Sequence, residues 1–352
     1  MSRFLSKNYK TLIPYVPGEQ PADLSRFVKL NTNENPFPPS QKALTYAAEN
    51  TRSAQLYSDP DCRKLTKLLA ETYGVGTENV ICGNGSDEIL FFAFSAFCSD
   101  DIPAVCPDIS YGFYPVFAQM ARVPYRAMPL EEDLSIDLSK YTGKGTVFIA
   151  NPNAPTGIAL PISEIEKLVA ADSSRVIVID EAYVDFGAQS CVTLTKKYDN
   201  LLVVQTFSKS RSMAGARLGY AMGSSKLIAD LQTLKYSLNP YNVNSMTAAL
   251  GEGTLLDAGY TKKNCSTIAK NRSFAEEGLK KLGFELTDSK ANFVFAKHQK
   301  FSGQEIYEKL KEKGVLVRHF TLERIKDYNR ITIGSRRQIE ALLAALEEII
   351  RG

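Results

Sequence analysis

The sequence predicts an α/β protein whose main domain is a doubly wound, mostly parallel sheet and whose C-terminal domain is smaller and α+β. Runs of β-branched residues, such as V-I-V-I at 176–179, have no polar face, which is typical of strands buried on both sides in a parallel sheet. Segments of helical length separate these runs. Strands that alternate with helices indicate crossover connections, with helices on both faces of the sheet.

The large domain is expected to span residues 31–245. Its predicted strands are 80–82, 103–107, 125–128, 146–150, 175–179, 201–205 and 218–222. Its predicted helices are 40–50, 62–73, 89–98, one that ends near residue 120, 163–171 and 226–235. Asp61 is expected to cap the helix at 62–73, and Ser163 with Glu166 has the spacing of a capping box.

Two further regions flank the large domain. Residues 1–30 carry three prolines and no clear periodicity, so they are expected to form an N-terminal arm over the surface. Residues 246–352 are expected to form the small domain. Its predicted elements are two long helices within 244–282, strands near 284–287, 293–296, 315–318 and 330–333, and helices at 303–313 and 335–350, the last with apolar residues at helical spacing.

Composition argues against several classes of protein. The net charge is only +3 and no basic tract occurs, which argues against nucleic-acid binding. Two histidines cannot build a metal site alone, so no metal is expected. The six cysteines include no C-x-x-C pair, which favours buried thiols over disulfides. No apolar run reaches membrane-spanning length and the N-terminus lacks a signal-peptide core, so a cytoplasmic location is expected.

One lysine lies in an unusual setting. The stretch V-V-Q-T-F-S-K-S-R-S-M-A-G-A-R-L-G at 203–219 places Lys209 just after an apolar strand, between Ser208 and Ser210 and close to Thr206. Desolvation lowers the pKa of a lysine and makes its amine a nucleophile or base, and Arg217 with nearby hydroxyls suits a phosphate. The stretch predicts a Schiff-base site for pyridoxal 5′-phosphate (PLP). It also fits an ordinary strand-end loop with a solvated lysine.

Two upstream motifs follow other predicted strands. Asp180 ends the V-I-V-I strand, where α/β sheets bind ligands, and it could pair with a protonated pyridine nitrogen. Tyr183, three residues later, could hydrogen-bond the phenolic oxygen of such a ring. Asp180 could instead cap a helix. The N-P-N-A-P-T-G loop at 151–157 is a rigid turn with polar side chains at a third strand end.

A candidate anion site precedes the helix predicted at 89–98. In G-N-G-S-D-E at 83–88, two glycines allow backbone N–H groups to approach an anion at a helix N-terminus. Gly85, Ser86 and Asp87 are therefore candidate phosphate contacts. The spacing differs from the dinucleotide-binding fingerprint.

Three other side chains are candidates for binding flat or anionic groups. Tyr111 follows a strand and could stack on a heterocycle, although a core aromatic is the alternative. Arg330 opens a β-branched strand and could grip a carboxylate with its planar fork. Arg318 is a second candidate for a carboxylate or phosphate. For both arginines a surface salt bridge is the alternative.

Together these motifs resemble the fold-type I PLP-dependent aminotransferases of class I/II. Asp180-x-x-Tyr183, Ser208-Lys209 with Arg217, and N-P-N-A-P-T-G carry the resemblance. Further segments are similar to the histidinol-phosphate aminotransferases: L-N-T-N-E-N-P-F-P-P-S at 30–40, G-N-G-S-D-E at 83–88, Y-G-F-Y at 111–114, V-R-H-F at 317–320 and R-I-T-I-G at 330–334. The resemblance covers nearly the whole chain in the expected order.

The resemblance implies a transferase of histidine biosynthesis that exchanges an amino group between histidinol phosphate and 2-oxoglutarate. Lys209 would hold PLP and shuttle a proton, Asp180 would keep the ring nitrogen protonated, and Tyr183 would contact the phenolic oxygen. The other implied cofactor contacts are Gly85, Ser86, Asp87, Tyr111, Asn153, Thr206, Ser208 and Arg217, with Tyr57 reaching the PLP phosphate of the other subunit in a homodimer. The implied substrate contacts are Arg330, Arg318, Tyr15 and Asn33.

One position departs from the family pattern. Many relatives have N-P-N-N-P-T-G, whose second paired asparagine meets the phenolic oxygen, but this chain has Ala154. We expect Asn153 to take over the contact; the alternative is that Tyr183 holds the oxygen alone. Three functional alternatives also stay open: an aromatic or broad-specificity aminotransferase, a threonine-phosphate decarboxylase, and a PLP-binding regulatory module. If the resemblance is set aside, Tyr57 is typical of an exposed tyrosine in a loop.

Overall fold

The computed structural model describes residues 2–51 and 54–351. The strands are β1 Val28–Lys29, β2 Val80–Gly83, β3 Ala104–Pro107, β4 Tyr125–Met128, β5 Thr146–Ala150, β6 Ile177–Asp180, β7 Leu201–Thr206, β8 Gly219–Met222, β9 Phe284–Leu286, β10 Phe293–His298, β11 Val315–Leu316, β12 Arg318–His319 and β13 Tyr328–Thr332.

The α-helices match most of the predicted helical segments. They are α1 Gln41–Asn50, α2 Arg63–Tyr73, α3 Ser86–Phe97, α4 Tyr114–Ala121, α5 Ile162–Ala171, α6 Ser225–Leu238, α7 Ser245–Leu255, α8 Ala258–Lys281, α9 Gly303–Glu312 and α10 Arg336–Arg351. Short 3-10 helices are Lys7–Tyr9, Leu24–Arg26, Thr77–Asn79, Leu138–Lys140, Val184–Phe186, Cys191–Lys196, Ala214–Ala216 and Glu323–Ile325.

Seven strands form the central sheet, in the order β2-β8-β7-β6-β5-β3-β4. The neighbours from β7 to β4 pair in parallel, whereas β8 runs antiparallel to both β2 and β7. β8 is reversed because the chain returns beside β7 through a loop that contains no crossover α-helix. The prediction of a mostly parallel sheet is confirmed.

Helices cover both faces of this sheet. In β6, Ile177 and Ile179 pack into one apolar cluster with residues of α2 and α5, while Val178 packs into another with residues of α3, α4 and α6. Successive strand side chains point to opposite faces, so a strand that is buried on both faces must be apolar throughout. This explains the V-I-V-I run and confirms the doubly wound architecture.

A smaller antiparallel sheet, β12-β13-β10-β9, lies in the C-terminal part of the chain, with α8, α9 and α10 packed around it. The N-terminal segment joins this region, since β1 pairs in parallel with β11. The α+β character predicted for the C-terminal part is confirmed. The predicted strand at 315–318 is divided, because β11 pairs with β1 whereas β12 pairs with β13.

Two predicted helix caps are wrong. α2 is preceded by Cys62, and the carboxylate that accepts from the Arg63 N–H is Asp59, at 3.0 Å, rather than Asp61. α5 begins after Pro161, whose φ of −61° suits the start of a helix, so Ser163 lies inside the first turn. Glu166 forms no capping box and instead accepts hydrogen bonds from Lys197 and Tyr198.

The six cysteines are buried free thiols, as predicted. Across the described parts of the chain, the α-helices are too short or too polar to cross a lipid bilayer.

We predict that Gly219→Ala destabilises the protein by about 1–3 kcal/mol. A Cβ on Gly219 would lie 2.3 Å from the Ser86 nitrogen and 2.4 Å from the Gly85 carbonyl carbon, so backbone would have to move. Urea unfolding followed by far-ultraviolet circular dichroism measures the change.

The matched control is Gly259→Ala in α8, where a Cβ would have no other atom within 4 Å. This control should leave stability unchanged or raise it by up to about 1 kcal/mol, because alanine restricts the unfolded chain. Equal unfolding free energies for the two variants would contradict the prediction.

Candidate active site

The candidate site lies where three parallel strands end. Ala150, Asp180 and Val204 are aligned across β5, β6 and β7, so the residues that follow them leave the sheet side by side. A cavity at this edge, which we call the strand-end cavity, contains most of the predicted cofactor contacts. It is lined by Ser86, Asp87, Tyr111, Ala150, Ala154, Asp180, Ala182, Tyr183, Thr206, Ser208, Lys209 and Arg217.

Lys209 projects into the strand-end cavity from the loop after β7. Its Nζ donates to the carbonyl of Thr32 at 3.3 Å and lies 5.8 Å from the centre of the Tyr183 ring. The side-chain amide of Asn35 donates to the carbonyls of Lys209 and Ser210, at 3.1 and 3.2 Å. The segment at 30–40 therefore holds the backbone of this loop from the side of the cavity.

Asp180 is a carboxylate buried at the bottom of the cavity, with 4% of its surface exposed. Its oxygens accept from the Tyr114 hydroxyl at 3.1 Å and from the Ala182 N–H at 3.2 Å. Burial raises the pKa of Asp180 to about 7. A buried carboxylate that neutral donors alone contact can be stabilised by a cation, and a protonated pyridine nitrogen is such a cation.

The N-terminus of α3 forms an anion cradle beside Arg217. Gly85 has a φ of +83°, a backbone conformation that favours glycine, and a Cβ there would lie 2.7 Å from an Nη of Arg217. Arg217 donates to the Ser208 hydroxyl at 3.3 Å and to the Asp87 carboxylate at 3.0 Å. Cation, hydroxyls and helix N-terminus face the same cavity, which is the chemistry that a phosphate group requires.

Tyr111 stands at the side of the strand-end cavity and donates to the Asp87 carboxylate at 2.7 Å. The N-terminal segment continues the aromatic wall, because Tyr15 stacks on Phe113 with ring centres 4.2 Å apart. Tyr15 also lies 6.4 Å from Tyr111, measured between ring centres. The structure thus brings Tyr15 to the rim of the site.

A second cavity, which we call the arginine cavity, shares Tyr111 and Ala154 with the first. Arg330 and Arg318 also line it, and these two residues are paired directly across β13 and β12. Both guanidinium carbons lie 5.9 Å from the centre of the Phe320 ring. Two cations therefore face the same space next to the strand-end cavity.

The two arginines are held by backbone carbonyls. Arg330 donates to the Asn31 carbonyl at 3.1 Å, and its buried Nε has no acceptor; Arg318 donates to the carbonyls of Val16 and Pro17. Among residues 2–51 and 54–351, no carboxylate forms an ion pair with either guanidinium. Burial lowers the pKa of Arg330. An anionic substrate group would supply the missing counter-charge.

Asn33 and Asn153 are engaged within the protein. Asn33 is buried, donates to the Tyr183 hydroxyl at 3.0 Å and accepts from Thr332 at 3.1 Å. Asn153 donates to the Ile109 carbonyl at 3.0 Å and accepts from Ser110 at 2.7 Å.

These contacts change how the two asparagines are interpreted. Asn33 orients the hydroxyl of Tyr183, and the substrate contact expected for it stays a prediction. Within the described residues, the lining of the strand-end cavity includes Ala154 and Tyr183 but not Asn153. This arrangement favours the alternative in which Tyr183 alone meets the cofactor's phenolic oxygen.

Tyr57 lies outside both cavities. Its side chain is 83% exposed and stacks on Tyr241 with ring centres 4.5 Å apart. The structure therefore does not bring Tyr57 to the site within one chain.

Sequence reasoning missed Tyr114 and Asn35. Tyr114 is the last residue of Y-G-F-Y, and Asn35 belongs to L-N-T-N-E-N-P, so both stood in quoted motifs. Their partners, Asp180 and the Lys209 loop, are distant in sequence and become apparent only in the fold.

Comparison with known proteins extends these observations. Residues 25–346 match the family model described as aminotransferase class I and II. The chain is 42% identical to histidinol-phosphate aminotransferase of Lactococcus lactis subsp. lactis, over 98% of this chain and 96% of that protein. It is 43% identical to histidinol-phosphate aminotransferase of Brachyspira hyodysenteriae, over the full length of both.

The fold also matches a solved structure. The crystal structure of histidinol-phosphate aminotransferase from Sinorhizobium meliloti, in complex with pyridoxal-5'-phosphate, superposes with a TM-score of 0.88 at 23% identity, covering 99% of both chains. At this identity the likeness shows the fold.

Proposed function

The chain belongs to the class I and II aminotransferase family, and on this premise we propose that it is a PLP-dependent histidinol-phosphate aminotransferase of histidine biosynthesis. It exchanges an amino group between histidinol phosphate and 2-oxoglutarate. One observation carries the proposal: a single cavity presents a lysine amine, a buried carboxylate and an arginine at a helix N-terminus. The full-length relatives at 42% and 43% identity support the choice of substrate.

The residues of the strand-end cavity fit PLP. Lys209 would attach it, Asp180 would pair with its ring nitrogen, and Arg217 with Ser208 and the N-terminus of α3 would hold its phosphate. PLP bound there supplies an electron sink for the charge that develops at the substrate's α-carbon. The pKa of about 7 for Asp180 without the cofactor supports this role, because pairing with a cation stabilises the ionised carboxylate.

Each side chain of the site has a separate role in the proposed reaction. The Lys209 amine would remove a proton from the substrate's α-carbon as a positioned general base and return it as the acid. Tyr183, oriented by Asn33, would hold the phenolic oxygen of the cofactor. Tyr111 would contact the cofactor from the side of the cavity, and Tyr15 would help to exclude water at the rim.

We propose that Arg330 and Arg318 bind the anionic end of both substrates. Histidinol phosphate carries a phosphate and glutamate carries carboxylates, so one site must accept both groups in turn. Guanidinium groups bind either anion through paired N–H donors. The lack of an ion-pair partner for these two arginines among the described residues supports this assignment.

We also propose a homodimer with shared active sites, located in the cytoplasm. Exposed apolar side chains beside Tyr57 support a subunit contact there: Leu56 precedes it and is 66% exposed, and Tyr241, on which it stacks, is 42% exposed. Tyr57 of one subunit would then reach the PLP phosphate in the other. The six buried free thiols are compatible with a reducing compartment.

Histidinol phosphate is expected to convert the visible absorbance band of the PLP-loaded protein to that of the pyridoxamine form, with 2-oxoglutarate restoring the band. Phenylalanine and phosphothreonine are the comparison substrates. Faster conversion by phenylalanine would replace the proposal with an aromatic aminotransferase. Release of CO2 from phosphothreonine would replace it with a decarboxylase, and a protein that acquires no band with PLP would refute it altogether.

We predict that Arg330→Gln raises the KM for both histidinol phosphate and glutamate by roughly 100-fold, because each loses a charge-assisted pair of hydrogen bonds. Steady-state kinetics measure the change. Arg336→Gln is the matched control, since Arg336 is exposed and pairs with Glu340 on α10. A KM that stays at the wild-type value in Arg330→Gln would move the anion site elsewhere.

Co-expression of Lys209→Ala and Tyr57→Ala chains tests the shared site. In a mixed dimer, the site built on the Tyr57→Ala chain has its own Lys209 and receives Tyr57 from its partner, so one intact site forms. Random pairing makes half of the dimers mixed, and recovery of about a quarter of wild-type activity is expected. Assays use a PLP concentration at which neither variant alone is active. The absence of any recovery in isolated mixed dimers would exclude the shared site.

A further inference from the structure

A hydrogen-bonded set of polar side chains lies behind the strand-end cavity. We call it the rear network; it consists of Tyr73, Glu181, Asp185, Gln205, Ser210, Arg211 and Tyr220. Glu181, Gln205, Ser210, Arg211 and Tyr220 are each at least nine-tenths buried. The lining of the strand-end cavity, as far as the structure describes it, includes no member of this set.

Arg211 joins the two parts of the rear network. One Nη donates to the Asp185 carboxylate at 3.1 Å, and the other donates to the Tyr73 hydroxyl at 2.9 Å. The guanidinium also lies over the Phe207 ring, 5.1 Å from its centre. Ser210 donates to the same Asp185 oxygen. The two residues after Lys209 thus both donate hydrogen bonds to Asp185.

From Tyr73 the rear network continues to Gln205 in β7 and Tyr220 in β8. The hydroxyls of Tyr73 and Tyr220 both donate to Oε1 of the Gln205 side chain, at 2.7 and 2.5 Å. The amide of Gln205 donates to the Glu181 carboxylate at 2.8 Å. Burial raises the pKa of Glu181 to about 7. One set of contacts therefore connects the ends of β6 and β7 with the loop that follows β7.

Three residues of the rear network are adjacent in sequence to residues that line the strand-end cavity. Glu181 follows Asp180, Gln205 precedes Thr206, and Ser210 follows Lys209. We propose that Arg211 is a positioning residue that fixes the Lys209 loop through Asp185 and Ser210. The Lys209 amine is thereby held in a fixed position relative to Asp180 and Thr206 in the strand-end cavity. This inference rests on the proposed function, in which Lys209 carries the cofactor.

The charges around Lys209 define what a substitution would change. On the cavity side the charged groups are Glu34, Asp87, Asp180 and Arg217, with the titratable hydroxyls of Tyr111 and Tyr183. On the rear side they are Asp185 and Arg211. Asp185 is compensated by Arg211 in the wild-type protein. Without that cation, a carboxylate would remain uncompensated next to the Lys209 loop, and its negative charge would stabilise positive charge in the strand-end cavity.

The test compares Arg211→Met with the wild type, both loaded with PLP. We expect kcat to fall by roughly tenfold to a hundredfold, because a small displacement of the reacting amine is costly, while the KM for glutamate changes little. We also expect the pH midpoint of the visible absorbance change of bound PLP to rise. Loss of fold stability alone would not move this midpoint in folded, loaded protein.

The matched control is Arg175→Met. Arg175 is a partly buried arginine that donates to the carbonyls of Tyr141 and Gly145, at 2.7 and 3.0 Å, and it lies before the start of β6, at the opposite end of that strand from Asp180. It should lower stability without changing kcat or the midpoint. A folded, loaded Arg211→Met protein with wild-type kcat and midpoint overturns the inference.

Ser210→Ala provides a second measurement if Arg211→Met does not fold. It removes one hydroxyl that ties the loop to Asp185 and leaves the Arg211–Asp185 pair intact. A smaller fall in kcat at unchanged KM is expected, and wild-type kcat would overturn the inference. A wild-type protein that acquires no visible band with PLP refutes the proposed function instead, so the two failures are distinguishable.

Discussion

The parallel pairing of β5, β6 and β7 is the constraint on which the active site depends. Its register places Ala150, Asp180 and Val204 side by side, so that three chain segments leave the sheet at one level. A shift of one residue in β6 would exchange the faces of Asp180 and Glu181. Both are buried carboxylates, but only Asp180 faces the cavity that contains Lys209 and Arg217. Strand register therefore decides which acid can meet a cofactor.

The sequence was sufficient to predict the features that depend on local pattern. Apolar runs identified the strands of the sheet, and the polar residues directly after those runs, Asp180 and Lys209, were predicted to face one site. The cap predicted for α2 was wrong because Asp59 and Asp61 are both suitable acceptors and backbone geometry selects between them. The amino-acid composition of β8 does not indicate that this strand is antiparallel to its neighbours.

Other features depend on contacts between distant parts of the chain. Asn33 meets Tyr183 and Thr332, and Arg211 meets Tyr73, so their roles could not be predicted from neighbouring residues. Arg330 shows the opposite case. Its strand position was predictable, but the lack of a carboxylate partner among the described residues, which supports an anion site, required the structure. Local pattern thus identifies candidate groups, and tertiary structure determines which of them are available.

The contacts of the N-terminal segment with the Lys209 loop have a consequence for folding while the ribosome makes the chain. β1 pairs with β11, Leu30 accepts a backbone hydrogen bond from Thr332, and Asn35 contacts the loop at Lys209. Residues 28–30 thus obtain these backbone partners only after residues 315–332 have been made. The seven-stranded sheet can form earlier, from residues 80–222. The order of synthesis therefore leaves the Lys209 loop without the fully paired N-terminal segment until residues 315–332 have been made.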